Sequence, residues 1–137
     1  MAKNNRFGRT SEQRLIGVHP DLVKVVRRAL EVSTGDFSVL EGVRTIARQK
    51  QLNKKRVNGK KVSWTLRSRH LTGHAVDLIP YPFTKNPDTW LELDRFDEIT
   101  RAMKQASDEL NIPIECGRDW KSRDCPHYQL PRKDYPA

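Results

Sequence analysis

From Asp21 onward, apolar residues recur at spacings of three and four: Leu22, Val25, Val26, Ala29 and Leu30, with Lys24, Arg27 and Arg28 on the other face. That periodicity predicts a helix with one buried stripe. Pro20 precedes it and Gly35 would end it. Phe37–Glu41 alternates apolar and polar for part of its length and reads as a strand. Gly42-Val43-Arg44-Thr45 would lead from its end into a second helix, roughly Ile46 to Leu52. Asn58-Gly59 is a strong turn signal inside a long loop or loose hairpin. Ala75–Ile79 reads as a strand stopped by Pro80 and Pro82, and Tyr81 to Asp88 as an extended connection. Asp94 to Leu110 is the clearest helix, because Phe96, Ile99, Met103, Ala106 and Leu110 step by three, four, three and four; that stripe is read as core. Ile112–Cys116 and His127–Leu130 complete the strands. Residues 1–10 and 131–137 read as loose. Three helices and about four short strands that do not strictly alternate favour a single α+β domain over 1–137 with a small antiparallel sheet.

Composition narrows the class. The 137 residues suit one core. With 36% hydrophobic and 31% charged residues the chain is polar, yet too patterned to be disordered. No apolar run approaches the roughly 20 residues of a membrane-spanning helix. The N-terminus lacks the apolar segment of a signal peptide, so synthesis in a cytosol is expected and export would need another agent. The net charge of +9 is locally concentrated: ten Lys or Arg and no Asp or Glu lie between Arg44 and Arg69. Such a stretch attracts polyanions, whether nucleic acid, anionic lipid or a cell envelope, or is simply a solvated loop. A nucleic-acid-binding module is the rival from a different class. It is disfavoured because Trp64 is the lone aromatic there and no helix-turn-helix or zinc-finger spacing occurs.

The chemistry-bearing segment is Ser68-Arg-His-Leu-Thr-Gly-His-Ala-Val-Asp77, followed much later by Asp124-Cys-Pro-His127. Two imidazoles, His70 and His127, with the Asp77 carboxylate are a sufficient set for catalytic zinc, holding an ion on three sides and leaving the fourth for water. The spare carboxylate, Asp124, is what a hydrolase needs to take a proton from that water. Gly73 would allow a backbone angle or a close approach that a side chain forbids. His70 would then sit on a loop, Asp77 on a strand, and His127 would face Asp77 across the sheet. His70 and His74 form a His-x-x-x-His pair, but the helical zinc-protease signature carries Glu directly after the first His and here Leu71 stands there. His74 is therefore read as exposed or supporting, and His19 as a helix-entry residue. A cytosolic origin disfavours a structural disulfide between Cys116 and Cys125; Cys125, two residues before His127, is a lesser alternative as ligand or nucleophile.

The pattern Ser68-x-His70-x-x-Gly73-x-Ala75-x-Asp77 with Asp124-x-x-His127 resembles the zinc D-alanyl-D-alanine carboxypeptidase superfamily. Within it, the likeness is to phage endolysins that act as L-alanyl-D-glutamate peptidases. His19-Pro-Asp-Leu22, Gly42-Val-Arg44-Thr45 and Gly117-Arg-Asp-Trp120 agree with it, so the resemblance runs from about residue 10 to 130. It implies a Hedgehog/D-Ala-D-Ala peptidase-like fold, with zinc bound by His70, Asp77 and His127. Asp124 would be the general acid/base. Arg44 would be both catalytic and substrate-binding, beside the substrate carbonyl; Trp120 would shape the pocket and Ser68 would support the substrate site. The implied partner is bacterial peptidoglycan, the implied product a lysed wall, and the implied location the host cytoplasm until the membrane is permeabilised. A monomer is expected, without stable membrane insertion and without nucleic acid. Many relatives carry Glu where this chain has Asp124, and an acidic residue where Tyr128-Gln129 follows His127. A D-alanyl-D-alanine carboxypeptidase is the near alternative.

Overall fold

The computed structural model describes residues 7–43, 56–57, 60–61, 69–81, 93–121 and 125–136. In chain order these form α1 (Arg9–Arg14), α2 (Pro20–Val32), β1 (Phe37–Glu41), β2 (Arg56–Val57), β3 (Lys60–Lys61), β4 (Ala75–Pro80), α3 (Leu93–Leu110), β5 (Glu115–Cys116) and β6 (His127–Gln129). Two 3₁₀ turns, Arg69–Thr72 and Gly117–Asp119, complete the set. The main sheet is antiparallel with order β1-β4-β6-β5, and β2 and β3 pair separately. This is the expected α+β arrangement; β2 and β3 flank Asn58-Gly59 in sequence, and the turn expected there lies outside the described residues. The expected helix over Ile46–Leu52 lies outside the described residues.

The stripe on α2 is buried as its periodicity requires: Leu22, Val25, Val26, Ala29 and Leu30 are all out of solvent. Each buried valine or leucine contributes roughly 1.5–3 kcal/mol. His19 caps this helix, its Nδ1 accepting from the Asp21 N–H at 3.1 Å, with Pro20 at the first helical position. On α3, Phe96, Ile99, Met103 and Ala106 are buried together with Ala102. Leu110, expected to extend the stripe, is instead 39% exposed, because the helix has run past the core by its last turn.

Both long helices pack on one face of the sheet, against Val39, Val76, Leu78, Cys116 and Tyr128. Tyr128 is tied to α3 by a 2.8 Å hydrogen bond between its hydroxyl and Thr100 Oγ1. Side chains alternate along a strand, so Asp77, between Val76 and Leu78, belongs to the other face. Cross-strand pairing puts Glu41 and His127 beside it, and Gln129 and Glu115 in the next row.

Residues 7–10 and 131–136 make defined contacts. Phe7 meets Phe37 edge-to-face at 5.7 Å. α1 covers the outer edge of β1: the Val39 N–H donates to Ser11 Oγ at 3.0 Å, and Arg14 Nη1 donates to the Val39 carbonyl at 2.9 Å. Residues 131–136, read as loose, make a turn in which the Tyr135 hydroxyl donates to Asp21 Oδ2 at 2.7 Å. Ile112–Ile114 are not strand, and β5 is confined to Glu115–Cys116; Pro113 lacks the N–H that a ladder position needs.

Candidate metal centre

The site is assembled from β4, β6 and one turn. Asp77 and His127 are direct cross-strand partners, so sheet register alone sets their separation. His70 arrives on the 3₁₀ turn Arg69–Thr72, and the chain reverses at Gly73, whose φ is +77°. A side chain at Gly73 would also collide with the carbonyl oxygen of Gly17, so both expected reasons for glycine operate. The turn is fastened on two sides. The His19 N–H donates to the Gly73 carbonyl at 2.8 Å. Arg69, buried beside His70, donates through Nη2 to the carbonyls of Leu130 (2.8 Å) and Tyr135 (2.7 Å).

His70 is 2% exposed. Its Nδ1 lies 2.9 Å from the Gly42 carbonyl oxygen, which can only accept, so Nδ1 carries the proton and Nε2 is turned to Asp77 Oδ1 at 3.3 Å. His127 Nδ1 is 3.4 Å from the same oxygen, and its Nε2 is 2.8 Å from Gln129 Oε1. The two rings stand nearly perpendicular with centroids 5.1 Å apart. One ligand atom from each of the three residues falls within 4.8 Å of the other two. This is the one such cluster among the described residues.

Burial pushes the Asp77 carboxyl up, but the two imidazoles outweigh it and hold the group well below the usual carboxylate range. Those contacts are hydrogen bonds only if both rings carry a second proton. Gly42 and Gln129 each already face one ring nitrogen, and Asp77 Oδ1 is out of solvent with no hydrogen-bond partner. A charged buried oxygen in that condition costs well over 1 kcal/mol, and a cation among the three acceptors removes the deficit. Both edges to Asp77 match the separation of about 3.3–3.4 Å between adjacent ligand atoms at tetrahedral angles on metal bonds of about 2.0–2.1 Å.

Trp120 is 37% exposed, and its ring lies 5.1 Å from that of His127. It lines an open cleft of about 500 Å³ with Lys104, Glu115, Cys116 and Asp119. His74 stands apart from the cluster: its Nδ1 is 2.7 Å from Thr72 Oγ1 and its ring is 5.5 Å from His19. Cys125 is half-buried and outside the cluster, and Cys116 is buried. Arg44, Ser68 and Asp124 lie outside the described residues. Two contacts were not anticipated from the sequence. Gly42 had no signal as a partner of His70, while Gln129 could have been found by period two from His127.

A model of the phage L-alanyl-D-glutamate peptidase family matches residues 3–135. The L-alanyl-D-glutamate peptidase of Escherichia phage T5 is 37% identical over 131 residues, covering 95% of this chain and 92% of that protein. The crystal structure of Serratia marcescens L-Ala D-Glu endopeptidase ChiX superposes with a TM-score of 0.83 at 45% identity, covering 98% of this chain and 96% of that one. A matched family over nearly the whole length, the same fold and a buried two-histidine, one-aspartate cluster lead to one conclusion: the chain is a peptidase and belongs to the phage L-alanyl-D-glutamate peptidase family.

Proposed function

We propose that this chain is a zinc-dependent endopeptidase that cuts the L-alanyl-D-glutamate bond of peptidoglycan stem peptides and so lyses the bacterial wall. The observation that carries the zinc assignment is the convergence of His70 Nε2, His127 Nδ1 and Asp77 Oδ1, whose shared carboxylate oxygen is buried without a partner. His70, Asp77 and His127 would hold a zinc ion, which would supply Lewis acidity for activating water near neutral pH and polarising the scissile carbonyl. Asp124 takes the proton of the attacking water and delivers it to the departing amine of D-glutamate. Arg44 donates to the carbonyl oxygen as it gains charge, an interaction strongest near the transition state. The Trp120 indole forms one wall of the substrate cleft, and Ser68 is assigned to substrate binding. Two contacts support these positions: Gly42, two residues before Arg44, touches His70, and Trp120 lies against His127. The protein acts as a monomer released from the host cytoplasm once the membrane has been permeabilised.

Chelation followed by zinc addition, with mass spectrometry of digested muropeptides, tests the proposal. Wall lysis is expected to vanish and return, with products split between L-alanine and D-glutamate. Full activity in metal-free protein would refute the zinc assignment, and release of single D-alanine units would replace the endopeptidase with a carboxypeptidase. Asp124→Ala is expected to keep zinc while turnover falls by about 10²–10⁴; an active variant would refute the assignment of the base.

A further inference from the structure

His127 is held by a chain of hydrogen bonds that begins one strand away. Glu115 on β5 and Gln129 on β6 are cross-strand partners, and Gln129 stands two residues after His127, so all three rise from the same face of the sheet. Gln129 Nε2 donates to Glu115 Oε2 at 2.8 Å, and Gln129 Oε1 lies 2.8 Å from His127 Nε2. Only one arrangement of protons satisfies both contacts. A carboxylate only accepts, so the Gln129 amide turns its NH₂ toward Glu115. The amide oxygen then faces His127 and also only accepts, so the proton of the neutral ring sits on Nε2. Nδ1, beside Asp77 Oδ1, keeps its lone pair. Ala75, the partner of Gln129 on its other side, offers no side-chain group to compete for the amide.

We infer that Glu115 and Gln129 are positioning residues for His127: the Glu115 carboxylate orients the Gln129 amide, and that amide locks His127 in the tautomer that presents Nδ1 to a cation. The inference rests on the reading of His127 as a metal ligand and adds the source of that ligand's proton state. His70 reaches the equivalent state through a backbone carbonyl, which cannot turn over. The state of His127 depends on two side chains, and an amide freed from Glu115 can present either end. Without the chain, a proton can occupy Nδ1 and compete with the ion for the same lone pair.

The test uses nitrogen NMR of the histidine rings in metal-free protein, with zinc affinity measured by chelator competition. Wild-type His127 is expected as the Nε2–H form. Gln129→Leu is expected to give mixed tautomers and to weaken zinc binding by about 10–100-fold. Glu115→Ala leaves Gln129 in place but frees its amide to turn, and is expected to give mixed tautomers with a smaller loss. The paired exchange Glu115→Gln with Gln129→Glu moves the carboxylate next to His127 and the amide to β5. It keeps an acceptor facing His127 Nε2 and restores the bond between the strands with donor and acceptor exchanged, so the Nε2–H form and most of the affinity should return. A Gln129→Leu protein with an unaltered tautomer and wild-type affinity would overturn the inference. So would an exchange variant that binds zinc no better than Gln129→Leu, or a pure Nε2–H form in Glu115→Ala. If the wild-type protein bound no zinc at all, the reading of the centre would fail, while the ring signals would still report on the chain of bonds.

Discussion

A side chain at Gly73 meets the Gly17 carbonyl, and the backbone there has a φ of +77°. Gly73→Ala is therefore expected to cost about 1–3 kcal/mol in urea unfolding. It should weaken zinc binding more than a core substitution of equal cost, because the displaced turn carries His70. Gly42 plays a parallel part: a side chain there would strike the Arg14 carbonyl, and its own carbonyl receives the His70 Nδ1–H. Asp77→Asn keeps the shape of the side chain but removes the charge opposite two imidazoles. Zinc affinity is expected to fall by at least 10-fold, read by chelator competition. The need for glycine at 73 was open to reasoning from sequence, since a loop must turn sharply between His70 and the strand bearing Asp77. The need at 42 was hidden, because it arises from a helix that approaches β1 from more than twenty residues earlier in the chain.

That helix, α1, carries no apolar stripe in Arg-Thr-Ser-Glu-Gln-Arg, and sequence periodicity passed over it for this reason. Its contribution is polar and tertiary, through Ser11 and Arg14 on the edge of β1 that no described strand pairs with. Covering that edge also blocks pairing with a second chain. Ser11→Ala would leave the Val39 N–H without its acceptor, and a loss of about 1–3 kcal/mol is expected in urea unfolding. α2 and α3, by contrast, declared themselves through a buried face repeated over several turns, and Phe96→Ala should cost about 3–5 kcal/mol. The facing of Asp77 and His127 was partly readable, since Ala75–Ile79, stopped by Pro80, and His127–Leu130 both read as short strands. The Glu115–Gln129 row was not, because the strand expected over Ile112–Cys116 shrinks to two residues and its partner could not be named in advance.

The net charge of +9 suits an anionic polymer more than a small soluble peptide. Lysis of whole walls is therefore expected to weaken as salt rises from about 0.1 M to 1 M, where the screening length drops from about 10 Å to 3 Å. Cleavage of a short muropeptide should change far less, and equal salt sensitivity for both substrates would remove the charge from the explanation. On the alkaline side, burial pushes the Cys116 thiol up to about 11. Its stabilising neutral form is fully present below the ordinary thiol value of 9.0 and is lost as pH rises through the raised one. Thermal stability should decline between those values, less so in Cys116→Ala, and Cys116 should resist alkylation at pH 8 in the folded protein. The two ends of the described chain have a practical bearing. α1 leans on Gly42, and Tyr135 binds both Asp21 and Arg69, so each end abuts a support of His70. A cargo protein fused rigidly to either one would tug on that imidazole, and long pliant tethers are the safer way to build chimaeras from this enzyme.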